Sequence, residues 1–110
     1  MKAERNPADY LSDILDTSGK ISNFISGLDS ARFAADEKTF FAVIRGLEII
    51  GEAARKIPPS IREKHPQVSW REITGMRDKL VHDYMGVNVT VVWKTITEDL
   101  PFWNPKSARY

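Results

Sequence analysis

The sequence predicts an all-α fold, in which one domain over residues 1–110 forms a compact bundle of four to five helices. Apolar residues recur at spacings of three and four along most of the chain, which is the period of one helix face. Proline, glycine and capping side chains interrupt this period at few points, so short connections should join the helices. A chain of 110 residues can bury one hydrophobic core.

The first helix is predicted to begin at Asn6-Pro7, with Asn6 as the N-cap and Pro7 in the first turn. Gly27 and the following Asp29-Ser30 indicate its end. Its apolar face comprises Tyr10, Leu11, Ile14, Leu15, Ile21, Phe24, Ile25 and Leu28.

The second helix is predicted to follow Asp36 as its N-cap and to end at Ile57-Pro58-Pro59. A wide apolar stripe indicates a central helix that other helices contact on several sides. Gly46 and Gly51 would allow a neighbouring helix to approach closely. The stripe comprises Phe40, Phe41, Val43, Ile44, Leu47, Ile49, Ile50, Ala53 and Ala54.

Two helices are predicted in the next segment. Residues 60–64 form a short third helix, which His65-Pro66 ends. Ser69 caps a fourth helix that runs to about Met85, with Glu72 as the capping-box partner. The apolar positions of the fourth helix are Trp70, Ile73, Met76, Leu80 and Val81.

The last helix is predicted to start after Asn88 and to end at Leu100-Pro101, with Phe102-Trp103 folding back on the core. The β-branched residues at 89–92 leave a strand as the local alternative. A single strand would have no partner in this chain, which favours the helix.

Composition excludes several kinds of site. The net charge of +1 gives no strong field for nonspecific nucleic-acid binding. The absence of cysteine excludes disulfides and cysteine-ligated zinc, and two histidines are too few for a histidine-based metal set. The start of the chain lacks the apolar core of a signal peptide, and no apolar run approaches the ~20 residues of a membrane span. We therefore expect a cytoplasmic protein that needs neither a metal ion nor another cofactor.

One short motif carries groups suited to cleaving a phosphodiester. It consists of Arg77, His82 and Tyr84, with four residues between the first two and one residue between the last two. Arginine binds phosphate oxygens through charged, bidentate hydrogen bonds. Histidine exchanges protons near neutral pH. Asp78 lies one helical turn before His82, where a carboxylate can orient the imidazole and favour its charged form.

The helical positions of Arg77 and His82 lie about 140° apart, so these two residues need help to act on one phosphate. A helix irregularity between them could supply it. A two-fold dimer would do so better, because Arg77 of one chain could then lie beside His82 of the other. The dimer would also provide two histidines, one as base and one as acid.

Ordinary structural roles remain open for the same residues. Arg77 and His82 can be solvated surface groups, and Tyr84 can be a half-buried edge of the core. Glu48 and Glu52 can form helix ion pairs with neighbouring arginines and lysines, or can orient Arg77. The aromatic residues Trp70, Trp93 and Trp103 fit the core better than a base-stacking surface.

Six segments of the chain are notable, taken in order: YLSDIL at 10–15, LEIIGEAA at 47–54, PQVSWREI at 66–73, GMRDKLVHDY at 75–84, VW at 92–93 and DLP at 99–101. Together they resemble the HepT-like branch of the HEPN family over nearly the whole length. The Arg-x4-His-x-Tyr motif is short, but it is specific in combination with Ile-Ile-Gly-Glu-Ala and Pro-x-x-x-Trp-Arg-Glu-Ile.

The resemblance implies an all-α dimer that is a metal-independent RNA endonuclease, the toxin of a type VII HEPN/MNT toxin–antitoxin pair. It implies that Arg77 and His82 are the catalytic residues. Helical spacing, independently of the resemblance, makes Asp78 and Glu52 candidate supporting residues. The implied partner is an MNT-type nucleotidyltransferase antitoxin that neutralises the toxin by transferring AMP from ATP onto Tyr84. The family commonly has a polar amide where this chain has Asp78, an anion that would oppose an RNA phosphate.

Two alternatives belong to other classes of protein. The first is a non-catalytic helical binding module that docks a nucleotidyltransferase and presents a substrate to it. The second is a dimeric scaffold without any site. Only the ribonuclease requires His82 for its effect on a cell.

Overall fold

The computed structural model describes residues 5–82 and 89–103, without the side chains of residues 77–82 and 102–103. Every regular element in these ranges is helical, which confirms the predicted all-α fold. The helices are α1 (Pro7–Phe24), α2 (Ser30–Ala35), α3 (Glu37–Arg55), α4 (Pro59–Arg62), α5 (Trp70–His82), α6 (Val89–Lys94) and α7 (Leu100–Trp103), with a π-helical segment (Thr95–Asp99) between α6 and α7.

Helix α1 begins where the sequence predicts. The Asn6 side chain accepts a hydrogen bond from the Asp9 backbone N–H at 3.2 Å, and the Asp9 carboxylate accepts one from the Asn6 N–H at 3.1 Å. This reciprocal pair is a capping box. The helix ends at Phe24, earlier than the apolar period suggested, and Gly27 turns the chain with a φ of 81°. The apolar pattern extends beyond the helix end because Ile25 and Leu28, in the turn that follows, also pack against the core.

Helix α2 was not predicted. The Asp29 carboxylate caps it by accepting a hydrogen bond from the Arg32 N–H at 2.8 Å. Phe33 is its one buried residue and lies 5.1 Å from Trp93, measured between ring centroids. Six residues with a single buried side chain do not produce a periodic apolar stripe, so the pattern carried no signal.

Helix α3 is the central helix, as predicted, because it packs against both α1 and α5. Its predicted N-cap is confirmed: the Asp36 carboxylate accepts hydrogen bonds from the Thr39 N–H at 3.0 Å and from the Thr39 hydroxyl at 2.7 Å. These bonds lower the pKa of Asp36. Gly46 lies against α1, since a Cβ atom there would lie 2.9 Å from two side-chain carbons of Ile21.

The hydrophobic core draws on all the long helices, and no described helix has the length and apolar character needed to cross a membrane. Trp70 is buried and Trp93 packs against the core, as predicted, while the Trp103 side chain lies outside the described part of the chain. The buried apolar residues are Ile14, Ile21, Phe33, Val43, Leu47, Ile50, Ala53, Ala54, Ile57, Val68, Trp70, Ile73, Val92, Ile96 and Leu100.

The C-terminal segment is helical from Val89, so the strand alternative is wrong. The prediction that the helix ends at Leu100-Pro101 is also wrong, because α7 continues to Trp103. The π-helical segment Thr95–Asp99 explains the difference. It places Pro101 in the first turn of a new α-helix, where a missing backbone N–H costs no hydrogen bond.

Candidate active site

Helix α5 carries the Arg-x4-His motif, and its start is held firmly. The indole N–H of Trp70 donates a hydrogen bond to the backbone carbonyl of His65 at 3.0 Å. The guanidinium of Arg62 lies over the same indole ring, 5.8 Å from its centroid. Arg62 also donates to the carbonyls of Ile57 at 3.0 Å and Ala54 at 2.9 Å. One arginine thus joins the end of α3, the short helix α4 and the first residue of α5.

The orientation of α5 follows from its buried residues. Ile73 is fully buried and Met76 packs against the core, so this side of the helix faces α3. With 100° per residue, the backbone position of Arg77 lies about 40° from that of Ile73, whereas His82 lies about 180° away. Arg77 is therefore placed at the edge of the α3-facing side, and His82 on the opposite side.

The backbone from Arg77 to His82 is uninterrupted α-helix. An irregularity in the helix was one way to bring these two residues together. The backbone of residues 77–82 contains no such irregularity. The helical positions remain about 140° apart, as the sequence predicts. Asp78 is one turn before His82 on the same helix. Tyr84 and the predicted end of the fourth helix lie outside the described residues.

The two glutamates of α3 differ in their surroundings. Glu48 accepts a hydrogen bond from Arg45 at 3.3 Å, so its role as an ordinary helix ion pair is confirmed. Glu52 is exposed near the C-terminal end of α3, the helix that packs against α5. Its predicted support of Arg77 stays a prediction.

A family model described as "Ribonuclease HepT-like" matches residues 14–108. This range covers most of α1 and all the later helices. The chain belongs to the HepT-like ribonuclease family. The predicted family, and ribonuclease as the class of enzyme, are thereby confirmed.

Curated relatives cover most of this HepT-like chain. A protein of Thermococcus cleftensis named "Probable ribonuclease HepT" is 49% identical over 98 residues, 89% of either chain. A protein of Caldanaerobacter subterraneus named as a putative RNase is 42% identical, covering 88% of this chain and 87% of its own. Another named in the same way, from Methanocaldococcus jannaschii, is 46% identical over 84% of this chain and 79% of its own. No solved structure is significantly similar.

All five candidate site residues of this HepT-like protein fall within the matched range. Sequence reasoning missed Arg62, which holds the start of the motif helix. A signal was present, because an arginine five residues after a helix end at Ile57-Pro58 can reach back to the last carbonyls of that helix. Among the described side chains, no group of three histidine, aspartate or glutamate residues is placed to hold a metal ion.

Proposed function

We propose that this protein is a metal-independent RNA endonuclease whose active site combines Arg77 of one chain with His82 of a second copy. The observation that carries the proposal is the regular helix between these residues in a chain of the HepT-like ribonuclease family. Because a straight helix turns the two positions about 140° apart, a two-fold dimer is the simplest way to bring them to one phosphate.

The proposed chemistry uses only side chains of the protein. One His82 imidazole takes the proton of an RNA 2′-hydroxyl, whose oxygen then attacks the adjacent phosphorus. The imidazolium of the other His82 donates a proton to the departing 5′-oxygen, which leaves a 2′,3′-cyclic phosphate and a 5′-hydroxyl. Arg77 stabilises the additional negative charge on the phosphoryl oxygens in the transition state. Asp78, one turn from His82, would favour the charged imidazole that acts as the acid.

The finer biological role is also part of this proposal. The protein would act in the cytoplasm as the toxin of a type VII HEPN/MNT pair, neutralised by an MNT-type nucleotidyltransferase. The Tyr84 phenol would attack the α-phosphorus of ATP, so that AMP becomes attached and pyrophosphate leaves. An added phosphate near Arg77 would occupy the place of the substrate phosphate and repel RNA.

Mixing two inactive variants tests the shared site. Chains with His82→Ala and chains with Arg77→Ala should each lose at least about 10²-fold in cleavage rate. A mixed dimer brings one Arg77 and one His82 together, and water must replace the second imidazole, so it should cleave faster than the His82→Ala homodimer but more slowly than wild type. Mixed dimers that form and still show no recovery would refute sharing.

Growth after expression without the antitoxin separates the ribonuclease from the binding module. The wild-type protein should stop growth, whereas His82→Ala should not, at equal protein levels. Equal growth in the two strains would contradict the toxin role. It would favour instead the non-catalytic module that presents a substrate to a nucleotidyltransferase.

A further inference from the structure

Exposed cations collect at one corner of the molecule, which we call the basic corner and define as Lys56, Lys64 and Arg71. All three residues are exposed. They follow the end of α3, the end of α4 and the first residue of α5, respectively. The contacts of Arg62 with the Ala54 and Ile57 carbonyls and with the Trp70 ring bring these three helix ends together.

Charge is distributed unevenly between the segment that contains the basic corner and the segment that precedes it. Residues 55–72 contain five lysines and arginines against two glutamates, whereas residues 5–54 contain five against eight acidic residues. The near-neutral total therefore conceals one segment with a net charge of +3 and another with a net charge of −3. Within the described residues, no ion pair engages Lys56, Lys64 or Arg71. Glu72 is in the first turn of α5, where a carboxylate offsets the positive end of the helix dipole.

One residue of the basic corner, Arg71, is aligned with the backbone position of His82 along α5. Arg71 and His82 are eleven positions apart, so their backbone positions differ by only about 20° around the helix and about 16 Å along it. Gly75 lies on the same side between them, is exposed, and has open space where a Cβ would be. A single-stranded nucleic acid can therefore cross position 75 without meeting a side chain. Asp78, one turn before His82, also lies on this side of the helix.

We propose that the basic corner binds the phosphate backbone of single-stranded RNA several nucleotides away from the cleaved bond. This inference rests on the proposed ribonuclease function and adds a second contact area to it. Single-strand binding surfaces combine a cationic groove that follows the backbone with contacts to several successive nucleotides. The contacts are with phosphates, so they supply affinity without sequence preference.

Two charge-matched triple variants test the corner. The first is Lys56→Gln, Lys64→Gln and Arg71→Gln. The control is Lys20→Gln, Arg32→Gln and Lys38→Gln, which removes the same charge from exposed positions on α1, α2 and α3. Thermal unfolding first establishes that both variants fold.

The probe is a fluorescent 12-nucleotide RNA with 2′-O-methyl riboses, which cannot be cleaved by attack of a 2′-oxygen. The dissociation constant is measured between 50 and 200 mM salt. The corner variant should bind about 10-fold more weakly at the lower salt. Its negative slope of log association constant against log salt should become shallower by about two, since three phosphate contacts are lost. The control should keep the wild-type slope to within one. Equal slopes in the corner variant and the wild type would overturn the inference.

Cleavage assays keep the two proposals separate. A dinucleotide is too short to reach the corner, so wild type and corner variant should cleave it at equal rates and differ only on long RNA. If wild type cleaves no RNA but the corner variant still loses binding, the ribonuclease function fails and the corner stands. If wild type cleaves RNA, and the corner variant binds and cleaves long RNA with the same affinity and rate, only the proposed role of the basic corner is refuted.

Discussion

The guanidinium of Arg62 lies 5.8 Å from the centroid of the Trp70 indole ring, and through this contact the end of α3 is joined to the start of the motif helix. The same guanidinium donates hydrogen bonds to carbonyls of Ala54 and Ile57 that the end of a helix leaves without partners. The placement of α5 against α3 thus depends on a residue that takes no part in the proposed chemistry.

Replacing Arg62 by alanine should lower the free energy of unfolding by about 2–3 kcal/mol, because two charge-assisted hydrogen bonds and the packing over Trp70 are lost. Urea unfolding followed by tryptophan fluorescence measures this loss. Arg45→Ala is the matched control: its exposed ion pair with Glu48 should contribute less than about 0.5 kcal/mol. Equal effects of the two substitutions would show that Arg62 is not a structural link.

The same substitution should have opposite effects at two helical glycines. At Gly46 a new methyl group would lie 2.9 Å from Ile21 carbons, so Gly46→Ala should destabilise the protein by about 1–3 kcal/mol. At Gly75 the added methyl meets nothing within 4 Å, and alanine favours helix, so Gly75→Ala should stabilise by up to about 1 kcal/mol. Chemical denaturation of both variants gives the comparison. A stabilising Gly46→Ala would mean that α1 and α3 can separate without cost.

The helix starts at Asn6 and Asp36 could be predicted because a cap is a local interaction within three residues. The role of Arg62 was missed although its position after the helix end was visible, since its partners lie five to eight residues earlier and become its neighbours only after α4 has folded. Pro101 was misread for a related reason. A proline normally ends a helix, but the preceding π-helical segment changes which backbone N–H groups need partners.

The same distinction between local features and contacts formed later applies to the candidate site. Helical spacing predicts that Arg77, Asp78 and His82 share one helix, and the structure agrees. The spacing also gives the angle of about 140° between Arg77 and His82, because a regular helix fixes it. Convergence on one phosphate depends on a second copy of the chain, and no pattern within a single sequence specifies how two copies meet.

The stability contributed by Asp36 should depend on pH. Hydrogen bonds from Thr39 lower the pKa of this carboxyl in the folded protein. A lowered pKa stabilises the folded state fully above the pKa of the unfolded chain, and this stabilisation disappears as the pH falls through the folded value. Asp36→Asn keeps a capping side chain but cannot ionise. Its melting temperature should therefore be lower than that of wild type at pH 7, and the difference should shrink at pH 3. A constant difference between the two pH values would contradict the assignment.

Attachment of AMP should require Tyr84 and should not require Tyr10. After incubation with the cognate nucleotidyltransferase and ATP, the intact mass of wild type should rise by AMP units. Tyr84→Phe should show no increase and should retain ribonuclease activity, because a phenylalanine has no phenol to modify and the catalytic pair is unchanged. Tyr10→Phe is the control, since Tyr10 packs against the core from α1 and its loss should leave the mass increase intact. A mass increase in Tyr84→Phe would place the modification on another residue. The explanation of neutralisation by a phosphate beside Arg77 would then fail even if the chain cleaves RNA.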